Sequence, residues 1–315
     1  VNDDAHSSPE TSPARYSGIR TFARLAHDPA GEGADVAVVG APFDGGTSFR
    51  PGARFGPEAI RSASMLLRPY DPVLEVDTLR ALSVVDAGDV APSPGSTEQA
   101  IAGIAEGLST VVEAGAITLV LGGDHTIALA ELRALAARHG PPALVLLDSH
   151  PDTWDTYGDE RYFHGTPFRR AAEEGVVDPS RSVMAGMRGT LYRREDWDDA
   201  EELGFDLIPG SELRGIGAQD YGRRVRERVG DGPALLSFDI DFVDPGFAPA
   251  TGTPEPGGPT SAEALDLVRA LTGINFVGFD VVEVSPPYDS PGQPTSLLAA
   301  TVAHTMLGLV ALSRS

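Results

Sequence analysis

Asp148-Ser149-His150-Pro151-Asp152 follows without a break on the apolar run Ala143–Leu147, and the fold is read outward from this junction. Three side chains of metal-ligating type stand at i, i+2 and i+4, and in extended chain such residues point to one side. The arrangement returns at Asp239-Ile240-Asp241 after the run 234–238, and His125 stands just past the run 117–121. Three strands thereby deliver six candidate metal ligands, His125, Asp148, His150, Asp152, Asp239 and Asp241. They come from the carboxyl ends of strands, where open α/β sheets form their binding crevices.

Taken singly, an aspartate after a strand is more often a turn former or a helix cap. Four carboxylates gathered at one sheet edge are different, because they raise one another's pKa unless cations neutralise them. Four aspartates balance two divalent ions. With no cysteine in the chain, any metal is held by nitrogen and oxygen alone. A donor set dominated by oxygen, with two histidines, predicts two Mn²⁺ rather than zinc, while Ni²⁺ and Co²⁺ stay compatible. Two such ions side by side activate water and stabilise both attacking and departing atoms, so the reaction class expected is metal-assisted hydrolysis.

Around this junction, short runs rich in Val, Leu and Ile alternate with helical stretches, the pattern of βαβ units and a mostly parallel sheet. Strands are predicted near 36–39, 82–85, 117–121, 144–147, 183–186, 205–208, 234–238 and 276–279. Helices are predicted near 57–62, 96–114, 129–139, 166–174, 218–229, 261–271 and 295–312, with Ser96 starting the alanine-rich second one. The Gly- and Pro-rich stretches 45–56 and 244–258 read as active-site or subunit-contact loops rather than linkers.

The 315 residues fit one large domain over 18–315 behind a loose, polar tail at 1–17 that lacks the features of a signal peptide. No apolar run is expected to approach the ~18 residues of a membrane span, and a cytoplasmic location follows. The 46 acidic residues face 24 basic ones, all arginine, giving a net charge of -22. That balance disfavours nucleic acid and anionic membrane as partners and favours encounter with cations, although a plain solvated acidic surface explains it as well.

Gly122-Gly123-Asp124-His125, Asp148-Ser149-His150-Pro151-Asp152, Ser237-Phe238-Asp239-Ile240-Asp241 and Gly278-Phe279-Asp280-Val281-Val282-Glu283 together resemble the signatures of the arginase/agmatinase ureohydrolases. The likeness runs from about Arg20 to the C-terminus and takes in 40–61 and His164-Gly165-Thr166-Pro167-Phe168. It points to the agmatinase branch, which also holds guanidinobutyrase-like enzymes and proclavaminate amidinohydrolase. The resemblance implies an α/β, three-layer αβα fold with a parallel sheet of about eight strands. It also implies two Mn²⁺ per subunit on the six residues already chosen, and a homo-oligomer, either a trimer or a hexamer. His164 matches the family's proton-shuttling histidine, and Glu283 the glutamate that holds the substrate guanidinium. The implied chemistry is attack of an activated water on the guanidinium carbon, followed by loss of an amine and release of urea.

The chain departs from the family's usual residues at Thr126, Ser149, Pro151 and 291–294, none of them a ligand. Thr153-Trp154 after the last ligand of the first motif is unlike arginase itself. The substrate's far end is expected near Trp154, Asp155, Tyr157 and Asp159, a segment whose acidic excess favours agmatine. A guanidino acid such as 4-guanidinobutyrate or a proclavaminate-like compound is the alternative. A single-metal deacetylase-like amidohydrolase would show another ligand set, and a non-catalytic metal-binding regulator would have its pocket closed.

Overall fold

The computed structural model describes residues 14–314. In chain order its elements are β1 (Val36–Ala41), α1 (Gly56–Ser64), β2 (Tyr70–Asp71), β3 (Val76–Asp77), α2 (Thr78–Ala81), β4 (Val84–Asp89), α3 (Thr97–Ala114), β5 (Ile117–Gly122), α4 (Ile127–His139) and β6 (Ala143–Leu147). There follow α5 (Pro167–Glu174), β7 (Val183–Met187), α6 (Glu195–Glu202), β8 (Asp206–Pro209), α7 (Gly210–Val229), β9 (Ala234–Asp239), α8 (Ser261–Arg269), β10 (Phe276–Val282) and α9 (Pro294–Ser313). Eight strands form one sheet in the order β4-β1-β5-β10-β9-β6-β7-β8, and all its pairings are parallel.

The central strands are mostly apolar because both faces of the sheet are covered, while the edge strand β4 carries Asp86 and Asp89 and is only partly buried. Val145 and Leu147 pack into the layer formed by α1, α7, α8 and α9, while Leu144 and Leu146 pack into that of α3 to α6. Leu119 and Leu121 divide from Val120 in the same way, as the period of two requires. The result is the expected αβα sandwich. Its order matters for the site: β10, last in sequence, enters between β5 and β9, so four adjacent strand ends carry the ligand motifs and Glu283.

Helix ends follow local chemistry. Ser96 caps α3 by accepting from the Gln99 N–H at 3.4 Å, and Thr260 and Glu263 form a reciprocal capping box on α8. Helix α7 begins earlier than predicted and is broken at Gly217, whose φ of 72° no helix interior accepts; the predicted 218–229 is its second half. The β2–β3 hairpin, α2 and α6 were not expected.

The expectation about apolar runs needs correction at α9. Its 20 residues carry no charge and have a mean hydropathy of 1.7, so by length and composition it could cross a membrane. Here 83% of that stretch is buried inside the protein, against α1, α8 and β10 among others. It is apolar all round because it is a core helix. The predicted tail lies outside the described residues except for 14–17, an exposed turn closed by Ser17 N–H donating to Ala14 O at 2.9 Å.

Candidate metal centre and active site

The six predicted ligands come together. His125 Nδ1 lies 2.9 Å from Asp152 Oδ2, 3.2 Å from Asp148 Oδ2 and 3.2 Å from Asp239 Oδ2. His150 Nδ1 lies 3.1 Å from Asp241 Oδ2 and 3.6 Å from Asp148 Oδ1. Asp148 therefore belongs to two groups of converging donors, one with His125 and Asp239 and one with His150 and Asp241. The first group is buried outright, whereas the His150 side chain is 27% exposed.

The ligands converge through turns rather than through the extended chain the spacing suggested. β6 ends at Leu147, His150 N–H donates to Asp148 Oδ1 at 2.6 Å, and Asp152 takes a φ of 49°. Asp241 N–H likewise donates to Asp239 Oδ1 at 2.7 Å. Each aspartate that ends a strand spends one oxygen on folding the chain back, which leaves its other oxygen for the centre. Ser149, one of the departures from the family pattern, donates its hydroxyl to Asp241 Oδ1 at 2.6 Å and so helps aim that ligand.

Without cations this cluster is electrostatically frustrated. Burial, then the charges of Asp241 and Asp148, push the Asp239 carboxyl well above its usual range; burial and Asp148 push Asp152 up to about 6. Asp148 goes the other way: burial alone would raise it, but the imidazoles of His125 and His150 hold it below the usual range. His125 Nδ1 and Asp148 Oδ2 are both buried and neither makes a hydrogen bond of proper geometry, although they face each other. Orphaned lone pairs aimed at one point, with an excess of carboxylate, suit divalent cations.

The far side of His125 settles which nitrogen is free. Ser237 Oγ donates to Asp280 Oδ1 at 2.7 Å and lies 2.9 Å from His125 Nε2. A hydroxyl has one proton, so with that proton on Asp280 it accepts from Nε2–H and leaves the Nδ1 lone pair facing the carboxylates. Ser237 and Asp280 had been noted only as parts of motifs. Their roles depend on β5, β9 and β10 being neighbours, which periodicity does not reveal.

His164 and Glu283 meet beside the cluster, with Nδ1 2.9 Å from Oε1. Glu283 Oε1 also accepts the His125 N–H at 2.8 Å, and its Oε2 is buried without a partner. Its φ of 61° is a conformation that costs about 1–3 kcal/mol and is typical of functional positions. Burial opposes the charged form of His164, yet Glu283 with Asp152 and Asp124 raises its pKa to about 9. The N–H of Ser48, 3.1 Å from Nε2, works against that charge, because it needs a lone pair there. Asp124 pins the loop that brings Ser48 in, accepting the Gly46 N–H at 2.7 Å. Gly123 must lack a side chain, since a Cβ there would fall on the Phe43 carbonyl.

A cavity of about 610 Å³ opens over the centre and reaches His150, Asp152, Asp239 and His164. Trp154 and Tyr157 line it, together with Tyr192, Arg50 and Glu255. Asp155 instead turns to the buried Arg170 at 2.6 Å, and Asp159 sits in the turn closed by Tyr157 and Glu160, outside the lining.

The sequence profile of the arginase family matches residues 34–308. The chain belongs to the arginase family. Among members of this arginase family, proclavaminate amidinohydrolase of Streptomyces clavuligerus is 45% identical over 304 residues, 96% of this chain and 95% of its own. Its solved structure superposes with a TM-score of 0.91, at 44% identity, covering 96% of this chain and 100% of that one. Guanidinobutyrase of Pseudomonas aeruginosa is 43% identical over 93% of this chain and 92% of its own, and the mitochondrial agmatinase of Gallus gallus 42% over 93% and 86%. The agmatinase branch of the arginase family is thus where the chain falls, as its motifs implied.

Proposed function

We propose that residues 18–315 act as one hydrolase domain that cleaves a guanidino compound to an amine and urea. The observation that carries this reading is the conjunction of two converging His/Asp donor groups with the unpartnered Glu283 Oε2 and with His164, all beside one cavity. His125, Asp148, Asp152 and Asp239 would hold one Mn²⁺, and His150, Asp148, Asp239 and Asp241 the other. Bound there, the ions supply Lewis acidity and lower the pKa of water.

The chain's own residues do the rest. Glu283 offers Oε2 to the substrate guanidinium as a charged acceptor, while Oε1 holds His164 and the His125 N–H in place. His164, made basic by Glu283, takes a proton at Nε2 and returns it to the departing amine. Trp154, Tyr157, Phe163 and Tyr192 wall the cavity and exclude water from the substrate's chain.

For the substrate's far end, agmatine remains our leading reading, carried by Glu255, a cavity-lining carboxylate with no ion-pair partner among the described residues. A guanidino acid is the second reading, favoured by Arg50, the cavity's arginine, which touches the Phe49 and Tyr288 rings but no carboxylate among the described residues. The names of relatives divide between these readings. Urea release from agmatine, 4-guanidinobutyrate, arginine and proclavaminate separates them: agmatine leads on kcat/KM in the first reading, a carboxylate-bearing compound in the second. Assembly as a trimer or hexamer is part of the proposal, and exposed Tyr16, Ile19, Tyr70 and Val73 offer apolar surface for it.

A further inference from the structure

So far Ser48 enters only through its backbone N–H, yet its hydroxyl meets the one nitrogen on which the proton transfer depends. Its Oγ lies 2.6 Å from His164 Nε2, and it lines the cavity over the donor cluster. Its place is built, not incidental. Gly46 N–H is held by Asp124, Gly46 O accepts the His164 N–H at 3.0 Å, and Asp44 accepts the Gly52 N–H at 2.7 Å. The loop is pinned on both sides of Ser48, so the hydroxyl is held against His164 at the wall of the space where substrate would lie.

We propose that Ser48 is a further catalytic residue, whose hydroxyl relays the proton between His164 and the leaving nitrogen. The inference rests on the guanidino hydrolysis proposed above. The form of His164 able to take a proton is the neutral imidazole with its proton on Nδ1, facing Glu283, whose Nε2 lone pair meets the Ser48 N–H at 3.1 Å and the Ser48 hydroxyl at 2.6 Å. Water adds its oxygen to the guanidinium carbon and gives up a proton, which reaches Nε2. As the added oxygen forms the C=O of urea and releases its remaining proton to solvent, the C–N bond to the amine breaks and its electron pair stays on nitrogen. That nitrogen takes the Oγ proton while Oγ takes the Nε2 proton, so serine ends unchanged and His164 neutral. Water is the only co-reactant.

Two features of the geometry favour this path over direct transfer. A contact of 2.6 Å between oxygen and nitrogen is short enough for proton transfer without rearrangement. The Ser48 N–H, 3.1 Å from Nε2, opposes the charge that Glu283 favours there and so eases the proton's passage onward. A purely structural latch would need the contact as well, but would not move protons in the rate-limiting step.

Ser48→Ala and Ser48→Thr in the full, metal-loaded chain distinguish the two. Ser48→Ala is expected to lower kcat by about 10- to 100-fold with KM changed by less than about twofold, since direct transfer from Nε2 can stand in only partly. Ser48→Thr, which keeps the hydroxyl, recovers most of the rate. In mixtures of light and heavy water the parent's kcat falls along a bowed curve, from two protons in flight, and that of Ser48→Ala along a straight line. Metal content and thermal midpoint stay at parent values in both variants. Parent-like kcat in Ser48→Ala, a change confined to KM, or equal losses in both variants overturns the relay. If the parent itself releases no urea from any guanidino compound, the proposed function fails first and the relay falls with it.

Discussion

His125 shows how much of a metal site lies behind its ligands. Nε2 meets Ser237 and, through it, Asp280, a carboxyl that burial raises to about 6. A carboxylate behind a ligating imidazole fixes its tautomer and raises its basicity, and loss of such support lowers metal affinity by about 10- to 100-fold. Asp280→Asn keeps a carbonyl for Ser237 but removes the charge. It should weaken Mn²⁺ binding by that factor in calorimetric titration while leaving the metal-free protein as stable as the parent. Parent affinity in the variant would remove Asp280 from the account. The six proposed ligands stand out in the sequence because each follows an apolar strand closely. Ser48, Ser237 and Asp280 could not be assigned roles, because their partners lie 116, 112 and 43 residues away and are reached only through strand order.

Among the elements, the eight strands were readable because burial of the sheet writes short runs rich in Val, Leu and other apolar residues into each of them. What escaped was short or weakly patterned: β2 and β3 have two residues each, and α6 is mostly acidic. The reading of i, i+2, i+4 as one side of a strand picked out residues that do lie together, but for an incomplete reason, since side-chain-to-backbone turns gather them. Helix α9 carries a test of its own. His304, buried on it with Nε2 unpartnered, has its pKa lowered by burial, against the opposing pull of Asp71 and Asp77. A histidine kept neutral in the fold contributes stability above its unfolded pKa of about 6.5 that is lost as pH falls below it. The thermal midpoint should therefore drop between pH 7.5 and 5.5 by more in the parent than in His304→Met, on the order of the window set by that pKa. Equal drops would show that His304 does not titrate with unfolding.

For the molecule as a whole, the fold explains why this chemistry sits where it does. Parallel order places every strand's carboxyl end on one edge, and the late insertion of β10 sets Glu283 between the histidine of β5 and the aspartates of β9. Two apolar layers hold that edge rigid, and the strain at Asp152 and Glu283 is carried by the surrounding packing. Three buried aspartates, with Asp152 part-buried beside them, call for cations. Metal dependence is therefore the claim on which the rest stands. The most direct measurement is urea release from agmatine and 4-guanidinobutyrate by protein stripped with chelator and then titrated with Mn²⁺. The account predicts no urea from stripped protein and activity that rises to saturation at two ions per chain. Urea release that survives complete stripping, or none at any Mn²⁺ concentration from either compound, would contradict it.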